Sequence, residues 1–170
     1  MEKKVRLVVY VSIAAIVLSL GLLAIPQFIV PNDVPVLGSI SGYQFFFHTV
    51  SENYEKNSHI QGVSGLGITS IVLMALALSS YLFSKKTSAL VMLGGLLNVA
   101  TAILFFAMEA SKKHMYGAFY SFVNVGWIAY VIGALLMLTG LASLYGTFRL
   151  MQLEKKQITT QKNTYSYLKK

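Results

Sequence analysis

Cysteine is absent from all 170 residues, which excludes disulfides, thiolate metal sites, iron–sulfur clusters and cysteine nucleophiles together. Acidic residues are scarce, six in all, and charged residues make up only 12% of the chain. No Ser-His-Asp set, paired-carboxylate site, nucleotide-binding loop or nucleic-acid module can be assembled from what remains. The three prolines, Pro26, Pro31 and Pro35, fall in one stretch with Gly38 and Gly42. That stretch is expected to begin extended and to lie against the membrane interface.

Apolar residues are what the chain has in excess: 55% of the sequence is hydrophobic and the mean hydropathy is +0.63, far from soluble averages. Four runs are long and charge-poor enough to cross about 30 Å of hydrocarbon. The first, Val5 to Ile25, carries Arg6 at its edge and ends at Pro26. It is about twice the length of a signal-peptide core and has no small-x-small cleavage site after it, so it reads as a retained anchor. The second, Val63 to Ser84, stops at Lys85-Lys86, and the third, Ala89 to Ala110, meets a charge only at Glu109. The link between them, Lys85 to Ser88, forces an antiparallel helical hairpin. The fourth, Phe119 to Phe148, is free of charge until Arg149 and would be about 45 Å long as a helix, so it must tilt or protrude. Continuous apolarity argues for helices over barrel strands, which alternate. The expected fold is an all-α four-transmembrane-helix bundle, one membrane domain spanning 1–170, with a short helix in the first outer loop.

Lysine and arginine fall unevenly on the two sides of this layout. One side holds Lys3, Lys4, Arg6, Lys85, Lys86, Arg149, Lys155, Lys156, Lys162, Lys169 and Lys170; the other holds Lys56, Lys112 and Lys113. Positive charge is retained in the cytoplasm, so both termini are expected inside and the loop 26–62 outside. The inner basic set, chiefly Lys3, Lys4, Arg6, Lys85, Lys86, Arg149, Lys155 and Lys156, suits anionic lipid headgroups. The tail after Leu150 reads as helical to about Gln157 and polar beyond. Lack of cysteine with abundant lysine suits a bacterial plasma membrane.

The outer side gathers all three histidines and four acids, Asp33, Glu52, Glu55 and Glu109. His48, Glu52, Glu55 and His59 lie at i, i+4, i+7 and i+11, one face of a helix. Imidazole and carboxylate together suit zinc, manganese, iron or a haem, and Glu109 or His114 could complete the shell. The competing reading is an amphipathic surface helix with those groups in water and Tyr43, Phe45, Phe46, Phe47 and Tyr54 in the headgroup boundary. Neither HExxH nor a di-iron ExxH pattern is present.

Within the runs the polar residues are few. Asn98 and Asn124 are expected to form interhelical hydrogen bonds, and no Asp, Glu, Lys or Arg lies near a midplane, which argues against an ion-coupled pump. Gly94-Gly95, Gly62-x-x-Gly65-x-Gly67 and Ala142-x-x-x-Gly146 read as packing seams. Trp127 and nearby tyrosines read as interface anchors. The layout resembles that of claudin-like tetraspan proteins in topology, but the first outer loop has neither the tryptophan nor the cysteine pair of that family, so no function carries over.

Three functions fit these features. The first is a non-enzymatic accessory subunit or self-associating scaffold, partnered with other membrane proteins through its outer loop and requiring no cofactor. The second is a membrane redox protein with metal or haem at His48, Glu52, Glu55, His59, Glu109 and His114. The third is a transport component for a small molecule or lipid, with a pocket near Asn98 and Asn124.

Overall fold

The computed structural model describes residues 3–29, 40–41, 65–84, 87–110 and 124–168, with side chains at 4–25, 65–84, 87–110 and 124–153. Four helices account for nearly all of it: α1 (Lys3–Leu22), α2 (Gly65–Leu82), α3 (Ser88–Phe106) and α4 (Trp127–Leu168). Segments long and apolar enough to cross a membrane occur in all four, at Lys4–Leu22, Gly65–Leu82, Ser88–Phe106 and Trp127–Leu153. The chain is a multi-pass membrane protein. In hydrocarbon a backbone must satisfy its own hydrogen bonds, which makes the helix the required form for such runs.

Because these helices are apolar all round, hydrophobicity does not mark the buried side. Spacing does. Buried positions step by three and four along α1 (Val5, Val9, Ser12, Ile16, Ser19, then Leu23) and α2 (Gly67, Ser70, Met74, Ala77, Tyr81, then Ser84). The same stepping runs along α3 (Val91, Gly94, Asn98, Thr101, Phe105) and α4 (Ala129, Ile132, Leu136, Thr139, Ser143, Thr147). A 3.5-residue period is that of helices packed knobs-into-holes at shallow angles. The buried positions are unusually small or hydroxylated, as expected where lipid offers no hydrophobic penalty and close backbone approach must hold helices together.

Around the bundle α1 packs on α4, α4 on α3 and α3 on α2, while α1 and α2 meet least closely. The tightest approach is between α3 and α4. A Cβ added at Gly140 would lie 2.9 Å from Gly95 O and 3.1 Å from Val99 N, and one added at Gly95 would lie 3.0 Å from Gly140 O. Backbone meets backbone there, so no side-chain rearrangement can make room. Ala142 and Gly146, expected to form a seam, are on the α1 side of α4, where an added Cβ at Gly146 meets Val5 Cγ2 at a comfortable 3.7 Å.

Helix α4 begins at Trp127, not near Phe119 as the apolar run suggested, and Asn124 lies outside it. Asn124–Val125 form a short strand, β3, instead. It pairs antiparallel with β1 (Pro26–Ile29), Phe28 opposite Val125 and Ile29 opposite Asn124, and β1 pairs on its other edge with β2 (Ile40–Ser41). Gly126 is the single residue between strand and helix, and Pro26 takes the first position of its strand, where a missing N–H is tolerated. The three-stranded patch caps the end of the bundle where α1 finishes and α4 starts. At the other end α4 continues to Leu168, further than Gln157, through good helix formers such as Glu154, Lys155, Lys156 and Gln161. Its 42 residues extend about 63 Å, twice the hydrocarbon thickness.

Replacing Gly140 by alanine is expected to lower the stability of the detergent-solubilised protein by about 1–3 kcal/mol through overpacking. Gly21, whose added Cβ meets nothing within 4 Å, should accept alanine without loss. Thermal unfolding followed by circular dichroism compares the two.

Candidate functional site

Five polar side chains from all four helices meet in the middle of the bundle: Ser12 of α1, Tyr81 of α2, Asn98 of α3, and Thr139 and Ser143 of α4. Ser12, Asn98 and Ser143 have no exposed surface, and Tyr81 is only 1% exposed. The sequence arranges this meeting through the Gly94-Gly95 pair. A Cβ at Gly94 would lie 2.9 Å from Tyr81 Cζ, so the glycine lets the phenol ring lie on α3 and carries its hydroxyl to the centre. Gly95 in turn admits α4, bringing Ser143 Cβ within 3.0 Å of where a Cβ of its own would stand.

Hydrogen-bond directions are fixed by counting protons. Ser143 Oγ donates its single proton to Thr139 O at 2.8 Å. It must therefore accept from Tyr81 OH at 2.9 Å and from Ser12 Oγ at 3.2 Å, which fills both lone pairs of the hydroxyl. Asn98 Nδ2 donates to Tyr81 OH at 3.5 Å and to Thr139 Oγ1 at 3.3 Å. Thr139 Oγ1 passes its own proton to Leu135 O at 2.8 Å. Two donor chains thus start at the Asn98 amide and end on carbonyls of α4. Among the described residues Asn98 Oδ1 is the one acceptor of the junction left without a partner.

Four other buried hydroxyls are satisfied within their own helices, Ser70 donating to Leu66 O, Ser80 to Leu76 O, Thr101 to Leu97 O and Thr147 to Ser143 O, at 2.8 to 2.9 Å, while Ser19 Oγ is buried without a partner. The four cost little in an apolar setting because the i−4 carbonyl is always at hand. The central five differ by bonding across helices. The junction contains alcohols, a phenol and an amide. What it supplies is orientation: each helix is fixed in register against α4.

The residues singled out from sequence divide clearly. Asn98 is at the centre of this junction. Asn124 is exposed in β3, before α4 begins, whereas Asn98 bonds Thr139 twelve residues into α4, about 18 Å along that helix, so the two asparagines do not share one pocket. Glu109 is exposed just beyond the end of α3. His48, Glu52, Glu55, His59 and His114 lie outside the described residues, as does the expected outer-loop helix. Among the described residues no group of three histidines or acids gathers. Of the basic set, Lys4, Arg6 and Arg149 are exposed at one end of the bundle; Lys85 and Lys86 lie outside the described residues, and so do the side chains of Lys3, Lys155 and Lys156. Ser12, Tyr81, Thr139 and Ser143 did not stand out in the sequence. Their signal was the three-four spacing of hydroxyls in otherwise apolar runs, as in Thr139-x-x-x-Ser143-x-x-x-Thr147.

A double-mutant cycle on Tyr81→Phe and Ser143→Ala is expected to give a coupling of about 0.6–2 kcal/mol. Gly94→Val should cost at least as much as Tyr81→Phe, since it displaces the ring that carries the hydroxyl. Unfolding in a denaturing-detergent titration reads all of these. No family model, curated protein or solved structure matches the chain.

Proposed function

We propose that this chain is a non-enzymatic four-helix membrane protein serving as an accessory subunit or self-associating scaffold of a larger membrane assembly. The observation that carries the reading is the outward face of α2. Gly65, Thr69, Val72, Leu76, Ser79 and Phe83 are exposed at steps of four and three, the same period that α2 uses on its inner side.

Of these six, Gly65, Thr69 and Ser79 are small or hydroxylated, while Val72, Leu76 and Phe83 are large apolar groups of the kind lipid accepts. An added Cβ at Gly65 meets nothing within 4 Å. Thr69 Oγ1 donates to Gly65 O at 2.7 Å and Ser79 Oγ to Ala75 O at 2.9 Å, so the hydroxyls are tolerated in hydrocarbon and keep lone pairs for a neighbouring helix. Bulky groups are exposed on α2, α3 and α4 alike, but among the described side chains no serine or threonine is exposed within α1, α3 or α4. Gly65 and Ser79 permit close approach of another backbone, and an exposed hydroxyl with a spare lone pair can bond to it.

In this reading both termini face the cytoplasm of a plasma membrane, supported by the gathering of Lys4, Arg6 and Arg149 at one end and by the charge asymmetry of the whole sequence. The outer loop 26–62 adds contacts beyond the membrane. Its described part is the β1–β2 ribbon, held to the start of α4 through β3.

In mild detergent the particle is expected to exceed the 18.7 kDa of one chain, either as a homo-oligomer or with a co-purifying subunit. The double substitution Thr69→Leu and Ser79→Leu should return it to a monomer without lowering its thermal stability. Light scattering with mass spectrometry of the purified material measures both. A wild-type monomer with no companion would remove the proposal.

A further inference from the structure

A groove of about 480 Å³ opens between α1 and α4 at the basic end of the bundle, lined by Lys4, Val5 and Val8 from one helix and by Ala142, Gly146 and Arg149, among others, from the other. Its volume falls within the range of small-molecule sites. Its depth comes from Gly146, which leaves open the space between the helices that any larger side chain would fill.

The lining is divided by chemistry along the membrane normal. Lys4 and Arg149, both exposed, line the groove toward the helix ends, with Tyr145 one turn further in than Arg149 and Leu153 one turn further out. Val8 lies four residues further into the span than Lys4, and Ala142 seven residues further in than Arg149, which is about 6 and 10 Å along the helices. Two cations at the surface and an apolar floor leading inward match an amphiphile with an anionic head and a hydrocarbon chain. A guanidinium and an ammonium lining one groove suit phosphate oxygens, the guanidinium by a two-pronged hydrogen bond. Tyrosine at that depth is suited to the headgroup boundary.

We infer that this groove is a binding site for one anionic phospholipid, its phosphate held by Lys4 and Arg149 and one acyl chain lying over Gly146 between Val5, Val8 and Ala142. The site does not depend on the chain having a protein partner, so it can stand or fall apart from the scaffold reading. Arg6 provides an internal control: it is exposed at the same end and carries the same charge, but does not line the groove.

The test uses the full chain in mild detergent, stripped of lipid and titrated with phosphatidylglycerol, phosphatidylcholine or inorganic phosphate, and followed by native mass spectrometry and thermal shift. The expected result is one retained phosphatidylglycerol per chain with a raised melting temperature, and no shift with phosphatidylcholine or with inorganic phosphate. Arg149→Gln should weaken retention about tenfold or more, the loss of a charge-assisted pair, and Gly146→Leu should abolish it by filling the floor. Arg6→Gln should leave it unchanged. Both arginines are exposed, so their replacement does not disturb the core, and Gly146→Ala, whose Cβ stands 3.7 Å from Val5, checks that the helices still pack. Equal retention of phosphatidylcholine would overturn the proposal, as would an equal loss with Arg6→Gln, which would mean diffuse charge attraction. A shift produced by inorganic phosphate alone would also overturn it, since the acyl chain would then contribute nothing.

Discussion

The hydroxyl of Ser143 accepts hydrogen bonds from Ser12 at 3.2 Å and from Tyr81 at 2.9 Å while donating one to Thr139 O, and the arrangement of the four helices depends on that convergence. Inside a bilayer, burying an apolar side chain against another helix gains little over burying it against lipid. Apolar runs therefore bring helices into the membrane but do not say which faces meet. A polar group that can be satisfied only by a partner on another helix does say so, because leaving it unpaired in hydrocarbon costs more than the bond returns in water. Ser12 and Tyr81 impose that condition on α1 and α2, whose hydroxyls bond to Ser143 of α4, and Asn98 imposes it on α3 through Tyr81 and Thr139.

Glycine makes the hydrogen bonds reachable. A threonine hydroxyl is short, and α3 and α4 at wider spacing would hold Thr139 away from Asn98. At the α3–α4 contact Gly95 and Gly140 bring backbone against backbone, and at the α2–α3 contact Gly94 seats the Tyr81 ring. Close approach and hydrogen bonding thus act together: the glycines set the distances and the hydroxyls choose the register. The same division marks the outside of the molecule. Among the described side chains α2 is the one helix with exposed serine or threonine hydroxyls, Thr69 and Ser79, and Gly146 leaves open space in the groove that Lys4 and Arg149 also line.

Much of the architecture could be read from the chain, and the reasons are physical. Long charge-free runs bounded by Lys85-Lys86 and Arg149 admit few solutions in a bilayer, so the number of crossings and the tight α2–α3 hairpin were set by length and charge. The start of α4 was not, because the stretch from Phe119 to Trp127 is as apolar as the helix it leads into; only Asn124, Val125 and Gly126 hinted at a break, and the pairing of β3 with β1 depends on residues about a hundred positions away. Which face is buried was hidden for a related reason. A helix that is apolar all round has no contrast between its sides, so Asn98 was conspicuous as the amide in its run while its partner Tyr81 resembled one more interfacial tyrosine. The outer histidines and acids rest on helical spacing in a segment outside the described residues, and their chemistry stays an expectation from sequence.

The central claim is that Ser12 and Ser143 face each other at the junction, and the natural absence of cysteine makes it directly testable. Their oxygens are 3.2 Å apart, close enough that sulfur atoms in their place would be within bonding reach of a disulfide. Ser12→Cys and Ser143→Cys introduced together, then oxidised in native membranes, are predicted to form an intramolecular disulfide in nearly every chain, seen as a mobility shift reversed by reduction. A folded double variant that stays reduced, or that links only between separate chains, would contradict the account.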